Sequence, residues 1–249
     1  MAAITVSDLR GRWAARRPAC GVWSRLPGVV TAELLARSCP DYVVFDLQHG
    51  ALDEADLPGV AAAVVAVGAV PLVRSRSAHV ADIGRPLDLG AHGVFVPNVR
   101  GADHVREVVG ACRYAPAGTR SAGRLSGGSD DPLVMIVLET AEALDDLDAV
   151  LAVDGLDGIY VGPSDLSLSL DLAGAGDRDH LQEVISSVIR RALAVGMPVG
   201  VHTADGVQAG RYAEQGTTIV TAAMDDSVLT DAVQGHMALV RAPERPEPR

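Results

Sequence analysis

Apolar and polar positions follow one another along this chain in two rhythms. Short apolar runs occupy residues 19–23, 42–47, 70–74, 93–97, 133–139, 158–161, 198–202 and 217–221. Most are nearly unbroken, as expected of strands buried on both faces. Between them lie segments of helical period: 29–37, 54–67, 79–89, 102–112, 141–153, 179–195, 205–215 and 227–240. Eight strands alternating with eight helices, joined by right-handed crossovers, predict an α/β fold closed into a (β/α)₈ barrel. The alternative, a doubly wound open sheet, announces itself with a glycine-rich turn after its first strand, and nothing like GxGxxG follows Trp23. Residues 1–16 read as a short amphipathic helix under the barrel floor, and 115–131 as one long irregular loop. A single domain over 1–241 then gives way to a Pro-rich, charged tail, 242–249, expected to be disordered.

A barrel of this kind carries its chemistry where strands end. The runs here end on Trp23, Asp46 to His49, Arg74, Pro97-Asn98, Glu139, Asp165 and His202, while the helices carry ordinary surface charges such as Asp145 and Arg190. That concentration argues for an enzyme. Glu139 and Asp165 close the fifth and sixth runs, so parallel strands deliver them to one edge. Two converging carboxylates suit a hard cation such as Mg²⁺ or Mn²⁺, completed by water and a ligand. Acids also favour helix N-termini, so the pair alone is equally compatible with capping. His49 lies three residues after Asp46, whose carboxylate is placed to orient the imidazole for acid/base work; capping a loop is the plainer role. Arg74 offers a forked cation to a carboxylate or enolate oxygen, or pairs with Asp46 or Glu139. Gly162-Pro163-Ser164 brings backbone N–H groups to a ligand at a helix start. Trp23 is either core or pocket wall. Arg76 and the histidines at 79, 92, 104, 180 and 236 read as surface.

Composition narrows the function classes. A net charge of −11, with no basic run longer than two residues, argues against nucleic acid and anionic membranes. The apolar stretch 60–73 is too short to span a bilayer and is interrupted by Gly68 and Pro71. No secretory pattern opens the chain, and the three cysteines lack paired spacing, so a cytoplasmic, reducing location is expected. The sequence contains no lysine at all. Schiff-base chemistry on carbonyl substrates is therefore excluded, and carbonyl activation falls to a metal ion or to hydrogen bonds.

Trp23, DLQHG (46–50), PLVR (71–74), LDLGAHGVFVPNV (87–99), ACRYAPAGTR (111–120), ET (139–140) and VGPSDLSLSL (161–170) together resemble the HpcH/HpaI aldolase/citrate lyase family, and within it the class II pyruvate aldolases. The resemblance is collinear from about residue 20 to 240. It implies a (β/α)₈ barrel assembled as a homo-oligomer, a hexamer or trimer of dimers with helix exchange. It implies Glu139 and Asp165 as ligands of a divalent metal (Mg²⁺, Mn²⁺ or Co²⁺), and Arg74 as the group holding pyruvate and its enolate. His49, oriented by Asp46, becomes the acid/base. Asp88 matches an acid reaching into a neighbouring subunit's site, and Trp23 a residue of the pocket wall. The implied reaction cleaves or forms 4-hydroxy-2-oxo acids, with pyruvate and an aldehyde as partners.

Four departures stand out. The stretch 120–133 is about a dozen residues shorter than is usual. Position 202 is His where an apolar or small residue is customary, suited to a polar aldehyde portion. Gln48 replaces a frequent Glu, and alanine stands for a glycine near 222–223. Residues 119–131 and His202 are expected to meet the aldehyde half of the substrate and to shift its preference. The neighbouring readings are an acyl-CoA lyase, a decarboxylase or a condensing enzyme of secondary metabolism; beyond them lies a non-catalytic metabolite-binding barrel. A CoA substrate fits less well, since few rim arginines and no lysine await its phosphates.

Overall fold

The computed structural model describes residues 3–172, 174, 177–203 and 205–241; the expected tail at 242–249 lies outside them. Eight parallel strands close into a barrel in chain order. They are β1 (Ala19–Ser24), β2 (Tyr42–Asp46), β3 (Val70–Arg74), β4 (Gly93–Val96), β5 (Leu133–Leu138), β6 (Gly158–Val161), β7 (Val199–Val201) and β8 (Ile219–Met224). Closure runs through β8 against β1, with Ala19 opposite Ile219 and Cys20 opposite Val220.

Strand parity sorts the side chains into two cores, because successive residues point to opposite faces. In β5, Leu133, Met135 and Val137 fill the lumen, whereas Val134, Ile136 and Leu138 pack outward against helices. In β2, Tyr42 and Val44 turn inward, Val43 and Phe45 outward. Gly21 is what admits Tyr42 to the lumen, since a Cβ there would lie 2.0 Å from the tyrosine ring.

The floor is closed by α1 (Val6–Ala14), which Thr5 and Asp8 start with a capping box. It presses Val6, Leu9 and Trp13 on the lumen, and the Trp13 indole N–H donates to the Thr218 carbonyl at 3.0 Å. The expected helix under the barrel is therefore present. The outer layer comprises α2 (Val29–Arg37), α3 (Leu57–Val67), α4 (Val80–Asp88), α5 (Ala102–Cys112), α6 (Ala141–Asp145), α7 (Leu147–Leu151), α8 (Pro163–Ser169), α9 (Asp177–Ala194), α10 (Gly206–Glu214) and α11 (Asp225–Arg241).

Two local differences from the sequence periodicity have visible causes. The single helix expected over 141–153 breaks at Asp146, whose carboxylate accepts the Ala102 N–H at 2.7 Å and so ties the break to the start of α5. A separate short helix, α8, intervenes before α9, with Pro163 at its first position. The last helix behaves unlike the others. Asp225 is its one buried residue among those described, while Val228, Leu229, Val233 and Met237 stand exposed.

Candidate active site

At the carboxyl ends of the strands lies a cavity of about 310 Å³. Its wall takes Trp23 from β1, Asp46 from β2, Arg74 from β3, Val137 and Glu139 from β5 and its end, and Tyr160 from β6. His49, Gly162 to Asp165, His202, Arg25 and Met224 complete it. Of the expected strand ends, all but Pro97-Asn98 send a side chain into this single cavity.

Asp46 is the structural centre of the site. Fully buried, its carboxylate accepts five hydrogen bonds: from Arg74 Nε (2.9 Å) and Nη2, from the Trp23 indole (3.1 Å), and from the Gln48 and His49 backbone N–H groups (3.0 Å each). Burial disfavours its charge, but the Arg74 guanidinium, with the His49 N–H and the Trp23 indole, holds the pKa below the ordinary aspartate value. Asp46 thus fixes His49 through its backbone. The expected carboxylate-to-imidazole contact is not made, because all of that carboxylate's capacity is taken at the strand ends; the imidazole of exposed His49 is left to the cavity. Arg74 sits over the Trp23 ring at 5.3 Å, and its Nη1 has no partner among the described residues. The pairing with Asp46 and the inward-facing cation are therefore both true of Arg74.

Glu139 is 3% exposed, and Oε1 accepts the Asn98 backbone N–H at 2.7 Å. Asn98 adopts a left-handed conformation, φ 57°, which asparagine tolerates better than most residues. Burial pushes the Glu139 carboxyl pKa up; the Asn98 N–H opposes this and the charge of Asp165 adds to it. A Cβ at position 162 would stand 2.8 Å from Glu139 Oε2, so glycine there keeps that oxygen accessible. Asp165, in the first turn of α8, is exposed to the same cavity. A partly protonation-prone buried carboxylate in a cleft beside a second carboxylate is a pattern of functional sites.

Residues 20–232 match the family described as HpcH/HpaI aldolase/citrate lyase. The chain belongs to that family. A hydroxypyruvate/pyruvate aldolase of Rhizorhabdus wittichii is 35% identical, the match covering 95% of this chain and all of that one. A 4-hydroxy-2-oxo-heptane-1,7-dioate aldolase of Salmonella dublin is 32% identical over 86% of this chain and 87% of its own. A solved HpcH/HpaI aldolase/citrate lyase family protein of Burkholderia cenocepacia J2315 superimposes with a TM-score of 0.86 at 26% identity, covering 94% of this chain and 99% of that one. The protein is accordingly an enzyme of the aldolase type.

In this HpcH/HpaI member, Asp88 and the loop 119–131 lie at the far end of the barrel. Asp88 does not enter the cavity of its own chain. It ends α4 at the opposite, amino-terminal end of the barrel and pairs there with Arg120 at 2.6 Å. The loop 119–131 goes with it: Leu125 N–H donates to the Asp88 carbonyl, and Arg10 of α1 reaches Asp131 at 2.6 Å. A loop that follows a helix and precedes a strand returns to the floor, so within one chain it cannot meet the aldehyde half of a substrate in this cavity. His202, by contrast, is where the sequence placed it. Asn98, Tyr160 and Arg25 were given no role from sequence. Strand parity signals Tyr160, two residues beyond the Gly158 that opens β6, but nothing local signals that the Asn98 backbone serves Glu139.

Proposed function

We propose that this family member is a divalent-metal-dependent carbon–carbon lyase that cleaves or forms 4-hydroxy-2-oxo acids through the enolate of pyruvate or a similar 2-oxo acid. One observation carries the reading. Two carboxylates, a guanidinium with a free nitrogen and an unpaired imidazole converge on one cavity in a chain without lysine. The donor set fits a hard divalent cation such as Mg²⁺, Mn²⁺ or Co²⁺, because Glu139 Oε2 is kept clear by Gly162 and Asp165 is free of ion pairs among the described residues. Glu139 and Asp165 would hold it; when bound it supplies Lewis acidity to the 2-oxo acid's carbonyl.

The chain's own residues do the rest. Arg74, held rigid by its two bonds to Asp46, presents Nη1 to the substrate carboxylate or the developing enolate oxygen. Trp23 backs that guanidinium and closes one wall to water. His49, locked through its backbone, uses its imidazole to take the proton from the aldol hydroxyl in cleavage and to return one to the aldehyde oxygen in condensation. Relatives named for pyruvate, hydroxypyruvate and a 4-hydroxy-2-oxo diacid support the substrate class. In the same reading the enzyme is a cytoplasmic homo-oligomer: the exposed apolar residues of α11, and Arg120, whose Nε and Nη1 have no partner among the described residues, suit burial against another copy. Its three cysteines are unpaired, and no helix among the described residues is long and apolar enough to cross a membrane.

The test is pyruvate release from a panel of 4-hydroxy-2-oxo acids, with EDTA and with added Mg²⁺, Mn²⁺ or Co²⁺. Cation-dependent release supports the reading. Full activity after metal stripping overturns it.

A further inference from the structure

Three side chains inside the barrel form a hydrogen-bond chain that ends at the cavity. The Tyr160 hydroxyl donates to Thr221 Oγ1 at 2.6 Å. Tyr160 Oη in turn lies 3.3 Å from His202 Nδ1. Tyr160 and Thr221 are fully buried.

The direction of the chain is set at Tyr160. A hydroxyl has one proton to give. Tyr160 gives its proton to Thr221, and its oxygen is left to accept from His202. The histidine proton is thus on Nδ1. Burial, reinforced by the nearby Arg74 cation, drops the His202 pKa to about 4, so the ring carries no second proton near neutrality. Nε2 then holds a bare lone pair. It has no partner among the described residues, and the ring lines the cavity, packed edge-on against Trp23 at 5.0 Å between centroids.

We infer that His202 is a specificity-determining residue whose Nε2 accepts a hydrogen bond from a hydroxyl group of the substrate, so that the enzyme selects hydroxylated substrates over their deoxy analogues. This rests on the aldolase reading above. The shared chemistry is an O–H donor, carried either by the 2-oxo acid, as in hydroxypyruvate, or by an α-hydroxy aldehyde. Carbonyl and carboxylate oxygens are acceptors and gain nothing from a lone pair. Tyr160 and Thr221 are positioning residues that act through the imidazole.

Two measurements test the inference. In one, the ¹⁵N NMR spectrum of the full-length enzyme reports the His202 tautomer directly. Protonation at Nδ1, with population moving to Nε2–H in Tyr160→Phe, is expected; an Nε2–H ring in the unmodified enzyme overturns the assignment. In the other, kcat/KM ratios are compared within each variant. Hydroxypyruvate is set against pyruvate with one aldehyde, and glycolaldehyde against acetaldehyde with pyruvate. The native enzyme should favour the hydroxylated member of one pair by about tenfold, the worth of one buried neutral hydrogen bond. His202→Leu should erase that ratio and His202→Gln, which keeps an acceptor, should restore part of it; which pair responds identifies the half of the substrate that carries the hydroxyl. Ratios unchanged in His202→Leu for both pairs overturn the inference. Failure of the aldolase reading is distinguishable, because the native enzyme would then show no metal-dependent exchange of pyruvate methyl protons for deuterium.

Discussion

Two aspartate–arginine pairs stand at opposite ends of the barrel, and only one of them is finished. At the carboxyl end, Asp46 collects donors from two neighbouring strands and a turn, and Arg74 keeps one nitrogen for the cavity. At the amino end, Arg120 is more deeply buried, with 2% of its side chain exposed, yet makes a single bond to Asp88. It lies over the Tyr114 ring, and its Nε and Nη1 have no partner among the described residues. A buried cation left with orphan donors is costly. The first pair is therefore a preorganised instrument that one chain completes alone. The second is half of something, and in the proposed homo-oligomer a neighbouring copy supplies the remainder.

The comparison breaks most visibly through the carboxylates beside the finished pair. Glu139→Gln or Asp165→Asn should abolish divalent-cation binding by calorimetry and lower kcat by at least on the order of 10²–10³-fold, while leaving the subunit assembly intact. Cation binding that survives either change would remove those residues from the ligand set. Next comes His49→Ala, which should reduce kcat by roughly 10²–10⁴-fold with little change in pyruvate affinity, as for a lost proton-transfer group. Loss of pyruvate binding with turnover spared would reassign His49 to substrate holding.

The unfinished pair should answer in a different measurement. Arg120→Leu removes one partner of a buried, hydrogen-bonded charge pair, and subunit dissociation followed by sedimentation velocity should rise at least about tenfold. Unaltered assembly would mean that the orphan nitrogens face something other than another copy. The smallest effect is acid stability. Asp46 has a folded-state pKa below the ordinary value of 3.8, so its stabilising contribution is fully present above that value and is lost as pH falls through the lower folded one. Asp46→Asn should flatten the acid limb of a thermal-melt series, and an unchanged limb would show that Arg74 does not hold the charge.

Much of the site was legible in the chain because strand ends are local features. A β-branched run that stops at Glu139, or at Arg74, announces both the strand and the residue delivered to the rim. The redirected cases share one trait: Asp46 was matched with the nearest histidine in sequence, while its carboxylate serves a strand end 28 residues away. The loop 119–131 shows the same limit: its place at the floor follows from the course of the chain, not from its own residues.

By itself the sequence determined the alternation of strands and helices, the closed barrel that alternation implies, the two carboxylates at neighbouring strand ends, and the absence of any amine for Schiff-base chemistry. These follow from periodicity and composition, which act over a few residues. Only the tertiary structure decided which donors Asp46 accepts, which way the protons run from His202 through Tyr160 to Thr221, and which helix leaves its apolar face uncovered. Closure of the barrel brings β8 against β1 and places Thr221 beside Tyr160, a contact across 61 residues that no local pattern encodes. Hydrogen-bond direction is a property of the whole connected set, so it becomes fixed when the last member, Thr221, is in place.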